Sequence, residues 1–289
     1  MSTLALPVET AVASAGTSVA VVTGGSAGLG KVIARRLLNE GYAVVVVGRN
    51  QERLAGFLAE LPKPLQGRVL TVVCDVCQPG QVSNLVDRTL AHWGQVDVLV
   101  NVVGQSDRGL VQNLTADQVN LLMRTNVIAT LVCCQAFLPL LQTQRGVIVN
   151  IGSLAAKVGA QYLGGYAAAK HALAAITQQM RLEWKSRGVH VGLINPGPIR
   201  REDAGNRYAS VVAQQEGLPA SAAAPGGGTR VKGLPPQRVA SAVLRMIRKR
   251  SADIILPWYL RPLVAVGHLW PALGDWLLLK LTSRGSRGD

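Results

Sequence analysis

Six short apolar runs punctuate the first two-thirds of this chain, and their spacing leaves few folds open. They are SVAVVTG (18–24), AVVVVG (43–48), VLTVVC (69–74), VDVLVN (96–101), GVIVNIG (146–152) and VHVGLIN (189–195). Each is apolar along nearly its whole length rather than at alternate positions, which is the pattern of strands covered on both faces. Segments of helical length separate them: 28–40, 51–60, 79–93, 115–142 and 162–187. This alternation predicts an α/β fold with a doubly wound parallel sheet and helices on both sides. Ligands then bind along the edge where the strands end.

The length, 289 residues, fits one large domain with an appendage. We expect a flexible leader over 1–17, a main domain over 18–256 and an apolar, basic helical tail over 257–289. Residues 201–236 are rich in Ala, Gly and Pro and read as a long substrate loop, followed by a helix at about 236–250. A 48% hydrophobic content excludes a largely disordered chain, and four Cys exclude a disulfide-dense scaffold. No apolar stretch of about 18 residues lacks a charge or a Pro, so a simple transmembrane helix is not expected. The N-terminus lacks a basic n-region and carries Glu9, so the cytoplasm is the default compartment.

The net charge is +14, and it is unevenly spread: residues 201–289 hold thirteen basic and six acidic side chains. Nucleic acid, an anionic membrane surface and a solvated basic face compete as explanations. Without zinc-finger spacing or an aromatic ribonucleoprotein motif, no nucleic-acid partner is expected.

The first strand runs into Thr23-Gly24-Gly25-Ser26-Ala27-Gly28-Leu29-Gly30. Glycines at a strand-to-helix junction let the backbone approach a pyrophosphate seated on the helix N-terminus. The bland alternative is an ordinary strand–helix turn. The second strand ends in Gly48-Arg49-Asn50, with no acid to hold a ribose 2′-hydroxyl. Arg49 can instead pair with a 2′-phosphate, which predicts NADP(H) over NAD(H); a solvent-exposed Arg at a helix start is the alternative. Asp75, after the third strand, is placed to accept from an adenine amino group. Cys74 and Cys77 have C-x-x-C spacing, but Cys133 and Cys134 are adjacent and make a poor four-cysteine site, so small buried residues fit better and no metal is expected. The four His show no metal spacing, and without a G-x-S-x-G elbow a serine hydrolase is disfavoured.

Tyr166 and Lys170 stand four apart in a strongly helical segment, so one face carries a phenol and an amine. A nearby ammonium is expected to lower the Tyr pKa; a surface pair is the alternative. Ser153 follows the fifth strand, where its hydroxyl can donate to a carbonyl oxygen that Tyr166 protonates. Asn126 sits mid-helix despite its poor propensity, which points to a water or backbone contact, or to a buried, satisfied amide.

In order and spacing these residues resemble the short-chain dehydrogenase/reductase family over about residues 18–256. The match comprises TGGSAGLG (23–30), Asp75-Val76, Asn101 with Gly104, Asn126, Ser153, Tyr166, Lys170 and Pro196-Gly197. The resemblance implies a Rossmann-like sheet and hydride transfer between a nicotinamide and a carbonyl or alcohol carbon. It implies that Tyr166 moves the proton, Ser153 orients the carbonyl, Lys170 holds the nicotinamide ribose and Asn126 maintains a water relay. It extends the cofactor contacts to Thr23, Gly24, Ser26, Gly28, Leu29, Gly30, Arg49, Asn50, Asp75, Val76, Asn101, Gly104, Tyr166, Lys170, Pro196, Gly197 and Ile199. It also implies a homodimer or homotetramer. Two positions depart from the pattern. Val102 stands where the family has a second Asn, and Arg201 where it often has a Thr that bonds the nicotinamide amide. They leave open a non-catalytic, cofactor-sensing or scaffolding protein, against which the intact Ser153, Tyr166 and Lys170 argue.

The tail holds three of the five Trp, namely Trp258, Trp270 and Trp276, in a mostly apolar segment. Arg261, His268 and Asp275 recur every seven positions, and Pro262 and Pro271 divide the segment into short helices. With Lys280, Arg284 and Arg287 alongside, a peripheral contact with the inner face of a membrane is one reading, and packing on this or a partner subunit is the other. The apolar tail favours a small hydrophobic, lipid-like carbonyl or alcohol as substrate.

Overall fold

The computed structural model describes residues 16–200, 208–229 and 231–282. The expected strands form β1 (Val19–Thr23), β2 (Ala43–Gly48), β3 (Val69–Val73), β4 (Val98–Asn101), β5 (Val147–Ile151) and β6 (His190–Pro196). A further strand, β7 (Asp253–Leu256), was not expected from the sequence: it opens on a charged Asp, which shortens its apolar run below those of the other strands. The strands form one seven-stranded, all-parallel sheet in the order β3-β2-β1-β4-β5-β6-β7. The order reverses at β1 and β4, and the crevice beyond their C-terminal ends is where such sheets bind ligands.

The helices in chain order are α1 (Gly28–Asn39), α2 (Gln51–Ala59), α3 (Lys63–Gln66), α4 (Pro79–Trp93) and α5 (Ala116–Met123). Then come α6 (Ala129–Thr143), α7 (Tyr166–Glu183), α8 (Ala209–Ala213), α9 (Pro236–Lys249), α10 (Leu260–Leu269) and α11 (Pro271–Thr282). The layering explains the near-continuous apolar runs. Ala20, Val22, Val44, Val46, Val98 and Val100 face one core with Ile33 and Leu37 of α1, Leu54 of α2 and Val243 of α9. Val19, Val21, Val45, Val47 and Leu99 face the other core with Leu85 of α4, Phe137 of α6 and Met180 of α7.

A π-helical turn, Arg124–Ile128, joins α5 to α6, so the helical stretch runs without a break from Ala116 to Thr143. That stretch is apolar and long enough to cross a membrane by length and composition. Its residues Ala129, Cys133, Cys134, Phe137 and Leu141 are instead buried in the domain core. Buried amides cross the sheet beneath the crevice: Asn101 donates to Asn150 Oδ1 at 2.9 Å, and Asn150 donates to Thr177 Oγ1 at 3.0 Å. In the tail, Pro271 opens α11 as expected, whereas Pro262 is accommodated in the first turn of α10, where a missing N–H costs no helical bond. Residues 1–15 of the expected leader, Arg201, Arg284 and Arg287 lie outside the described residues.

Candidate active site

A cleft of about 1580 Å³ opens along the C-terminal edge of the sheet. One end is built by the turn from β1 into α1. Gly24 and Gly28 adopt left-handed backbone, at φ 66° and 49°. A Cβ on Gly30 would lie 2.1 Å from the Gly24 carbonyl oxygen, so only glycine lets the helix start this close to the loop. The N-cap of α1 is Ala27, with no side-chain cap and no acid in the first turn. The free N–H groups and positive dipole end of α1 therefore face the cleft, a fit for a pyrophosphate.

Gly24, Ser26, Gly28, Leu29, Gly30, Arg49, Asn50, Asp75 and Val76 all line this end. Asn50 caps α2, accepting from Arg53 N at 2.8 Å, so its side chain is committed to that helix. Asp75 Oδ1 accepts from Cys77 N at 3.1 Å, and the Asp75 N–H donates to Gln81 Oε1 at 2.7 Å. Arg49 is exposed at the end of β2. Lys31, Arg35 and Arg53 line the same end and were missed by the sequence reading. Their signal was there, since Lys31 and Arg35 lie one turn apart on α1. Both pair with Glu60, at 2.6 and 2.5 Å.

Thr23 and Asn101 are not among the lining residues. Thr23 is buried, and its Oγ1 accepts from Val102 N at 3.0 Å and Val103 N at 3.4 Å, clamping the end of β1 to the end of β4. Asn101 is buried below the floor in the amide chain, contacting Cys134 at 3.3 Å. Both are joints under the crevice, and neither presents its side chain to it. Val102, at the family's second Asn position, packs on the apolar core while its backbone N–H takes the Thr23 bond.

At the other end Ser153, Tyr166, Lys170 and Asn126 come together, as the sequence spacing implied. Ser153 leaves β5, and its Oγ accepts from Ala155 N at 3.1 Å, which fixes its rotamer. It lines the cleft with Tyr166, the first residue of α7. Lys170, one turn on, is 4% exposed and donates to the Ile151 carbonyl at 3.0 Å. Its Nζ lies 5.7 Å from the centre of the Tyr166 ring.

The electrostatics correct one expectation. Burial lowers the Lys170 pKa from 10.5 to about 8. Burial also raises the Tyr166 pKa; the Ser153 hydroxyl and the Arg108 charge oppose this, and Tyr208 adds to it. The phenol is raised and not depressed as expected, because its own desolvation is the largest cause of its shift.

Asn126 sits in the π-helical turn, a device found often at functional sites. It is fully buried and donates to the Gln105 and Leu122 carbonyls, both at 2.9 Å, while Oδ1 accepts from Gln105 N at 3.2 Å. Its contacts are thus backbone contacts, one of the two outcomes weighed from the sequence. A Cβ on Gly104 would meet Asn126 Oδ1 at 2.7 Å and Lys170 Nζ at 3.3 Å, so glycine there admits both groups. Pro196, Gly197 and Ile199 line the same end, and Ile199 bridges to Leu234.

Arg108 and Tyr208 also line it and were not anticipated. The Arg108 guanidinium is buried over the Tyr208 ring at 4.1 Å and donates to Ala222 O at 2.7 Å and Ala224 O at 3.2 Å. It ties the loop after β4 to the far side of the substrate loop. A cation four residues past Gly104 was the available signal. Cys74 and Cys77 face the cleft as thiols whose pKa burial raises, Cys74 to about 11.

A parallel sheet with a glycine-cradled helix at its switch point, and a phenol, hydroxyl and amine at the far end of one cleft, defines a nicotinamide-dependent oxidoreductase. The comparisons with known proteins then give the family. The short chain dehydrogenase model matches residues 18–210. The chain is 31% identical over 263 residues to dehydrogenase/reductase SDR family member 7B of Danio rerio, spanning 88% of this chain and 82% of that one. It is 31% identical over 238 residues to the ketoacyl reductase HetN of Nostoc sp., spanning 82% and 77%. A solved actinorhodin polyketide ketoreductase with NADPH superposes with a TM-score of 0.72 at 26% identity, covering 83% of this chain and 95% of that one. The chain belongs to the short-chain dehydrogenase/reductase family, enzymes that act on CH–OH and C=O groups with a nicotinamide cofactor.

Proposed function

We propose that this protein is an NADP(H)-dependent reductase or dehydrogenase of a small hydrophobic carbonyl or alcohol, working at the inner face of a membrane. The observation that carries the reaction is the convergence of Ser153, Tyr166 and Lys170 in the cleft that the glycine turn opens. The nicotinamide supplies or accepts the hydride when bound. Everything else falls to the chain. Ser153 donates to the substrate oxygen and orients it. Tyr166 holds the proton, and its raised pKa keeps the phenol protonated at neutral pH, ready to protonate an oxygen. Lys170, whose Nζ donates to the Ile151 carbonyl, would hold the ribose of the cofactor. The free N–H groups of α1 hold the pyrophosphate.

The preference for NADP(H) rests on Arg49, exposed at the end of β2 with Arg53 nearby and no acid in the Gly48-Arg49-Asn50 turn. The NADPH complex of the actinorhodin ketoreductase supports the same reading. Apolar lining by Leu154, Val158, Leu163, Leu260, Leu263 and Val264 supports a hydrophobic substrate. A homodimer or homotetramer belongs to this reading and is checked by analytical ultracentrifugation.

The test is NADPH oxidation over a panel of ketones. Tyr166→Phe is expected to lower kcat by about 10²–10⁴-fold while NADPH affinity, read by fluorescence titration, is retained. Turnover untouched by that substitution would remove the mechanism. Arg49→Asp is expected to erase the preference for NADPH over NADH; an unchanged ratio of kcat/KM values sinks the cofactor assignment.

A further inference from the structure

We propose that the α10–α11 hairpin is a two-faced port: its outer face lies in the headgroup region of an anionic bilayer, and its inner face hands a single-chain lipid carbonyl or alcohol straight into the active-site cleft. This rests on the reading above and names where the substrate resides.

The inner face forms part of the active-site cleft. Leu260, Leu263 and Val264 of α10 and Leu278 of α11 line the same cleft as Ser153 and Tyr166. So do Gly267 and Gly274, where the two helices cross backbone against backbone; a Cβ on Gly274 would lie 2.6 Å from the Gly267 Cα. The roof of the cleft is therefore thin and apolar at this crossing.

The exposed side of the hairpin carries Arg261, His268, Asp275 and Lys280 among large apolar side chains. Trp258 is 77% exposed, Leu269 69%, Trp270 60% and Trp276 55%, and Tyr259, Leu273 and Leu279 are exposed beside them. No side chain of α10 is buried. A helix pair that shows large apolar residues on both sides is a surface awaiting cover.

The occupant follows from residue type and charge. Trp and Tyr have an apolar ring with a polar edge, the property that seats them at a headgroup boundary. Lys280 lies with its Nζ 4.8 Å over the Trp276 ring, its stem along the apolar face and its charge free to reach phosphate. The sequence continues with Arg284 and Arg287. A second copy of the chain could also cover an apolar face. The tail, with Arg261, Lys280, Arg284 and Arg287 against Asp275 and Asp289, would meet its own excess charge across such a contact, however, whereas an anionic surface attracts it. The cleft also selects the ligand. A roof formed by the docked hairpin favours a molecule already dissolved in the bilayer, with one apolar chain to lie along Leu260, Leu263, Val264 and Leu278 and its oxygen near the headgroups.

The experiment uses the full chain loaded with NADPH and vesicles of phosphatidylcholine and phosphatidylglycerol at 7:3. The first readout is flotation with the vesicles. The second is photocrosslinking by a hexadecyl methyl ketone carrying a diazirine, supplied in those vesicles, with labelled residues mapped by mass spectrometry. Trp270→Glu/Trp276→Glu alters only exposed side chains, and its NADPH affinity and Tm report an intact fold. Wild type is expected to float and to be labelled among the cleft residues. The double variant is expected to lose about tenfold or more of both signals. Equal flotation of the two proteins overturns the proposal. So does flotation without cleft labelling. A wild-type dimer that the double substitution dissociates, with neither protein floating, assigns the face to a second copy and also overturns it. None of these readouts needs turnover, so they fail or succeed separately from the Tyr166→Phe test.

Discussion

The placement of Lys170 decides how the site titrates. Its amine is almost wholly buried, with one backbone carbonyl as its hydrogen-bond acceptor, and its pKa falls to about 8. Its folded pKa thus lies below its unfolded value, so the unfolded chain binds more protons between about pH 8 and 10.5, and stability rises with pH across that window. Below it, burying the ammonium costs up to about 3 kcal/mol. Lys170→Met is therefore expected to raise the urea midpoint of the cofactor-free protein at pH 7, with the gain shrinking toward pH 10. An advantage that does not depend on pH would contradict this account. Tyr166 follows a parallel logic: burial raises its pKa, so reduction, which needs the phenol, should stay flat through neutral pH, while oxidation, which needs the phenolate, should climb with alkalinity. Initial rates in both directions from about pH 6 to 10 check this. The four-residue spacing of Tyr166 and Lys170 was legible in the sequence. The sign of the tyrosine shift was not, because spacing on a helix reports proximity and says nothing of desolvation.

Elements whose pattern extends over several turns or a full apolar run were readable, and those made by tertiary contact were not. The apolar runs placed β1 to β6 because helices whose own lengths showed in the sequence cover both faces of the sheet, fully over the central strands and partly over the edge strand β3. β7 escaped because Asp253 opens it, and Asp253 is there for a tertiary reason. Its carboxylate accepts from Asn195 on β6 at 3.0 Å and from Lys157, in the segment after Ser153, at 2.8 Å. The π-helical turn at Asn126 escaped because one extra residue in a helical turn leaves the apolar pattern nearly unchanged. The glycine turn was legible in composition, but which glycine is indispensable emerged only from the close approach at Gly30. Gly30→Ala must push the Gly24 carbonyl away and is expected to cost about 1–3 kcal/mol. It should also weaken NADPH binding by at least about tenfold, since shifting the Gly24 carbonyl moves the loop that sets the α1 N–H groups around the pyrophosphate. Thermal melting and fluorescence titration measure the two effects; a variant with normal NADPH affinity would show that the cradle tolerates a wider loop.

At the scale of the whole molecule, the domain that binds the dinucleotide and the hairpin that roofs it have separate sources of stability. The buried hydrophobic residues of the core end at Ile254, and the sheet ends at Leu256. Beyond it, no side chain of α10 is buried, and α10 meets mainly α11 and the end of β7. Hydrophobic stabilisation scales with the apolar area taken from water, so a hairpin with most of its large residues exposed adds little to the fold it covers. A chain ending at Leu256 is expected to unfold cooperatively within a few degrees of the full protein and to keep its NADPH affinity, because the glycine turn, Arg49 and Lys170 all lie inside the sheet-centred core. Its capture of vesicle-borne ketone should fall with that of the Trp270→Glu/Trp276→Glu variant. Scanning calorimetry and NADPH titration of the shortened chain make the comparison. A large drop in Tm would mean that the hairpin is part of the core after all, and that its exposed tryptophans are the outer skin of a structural layer.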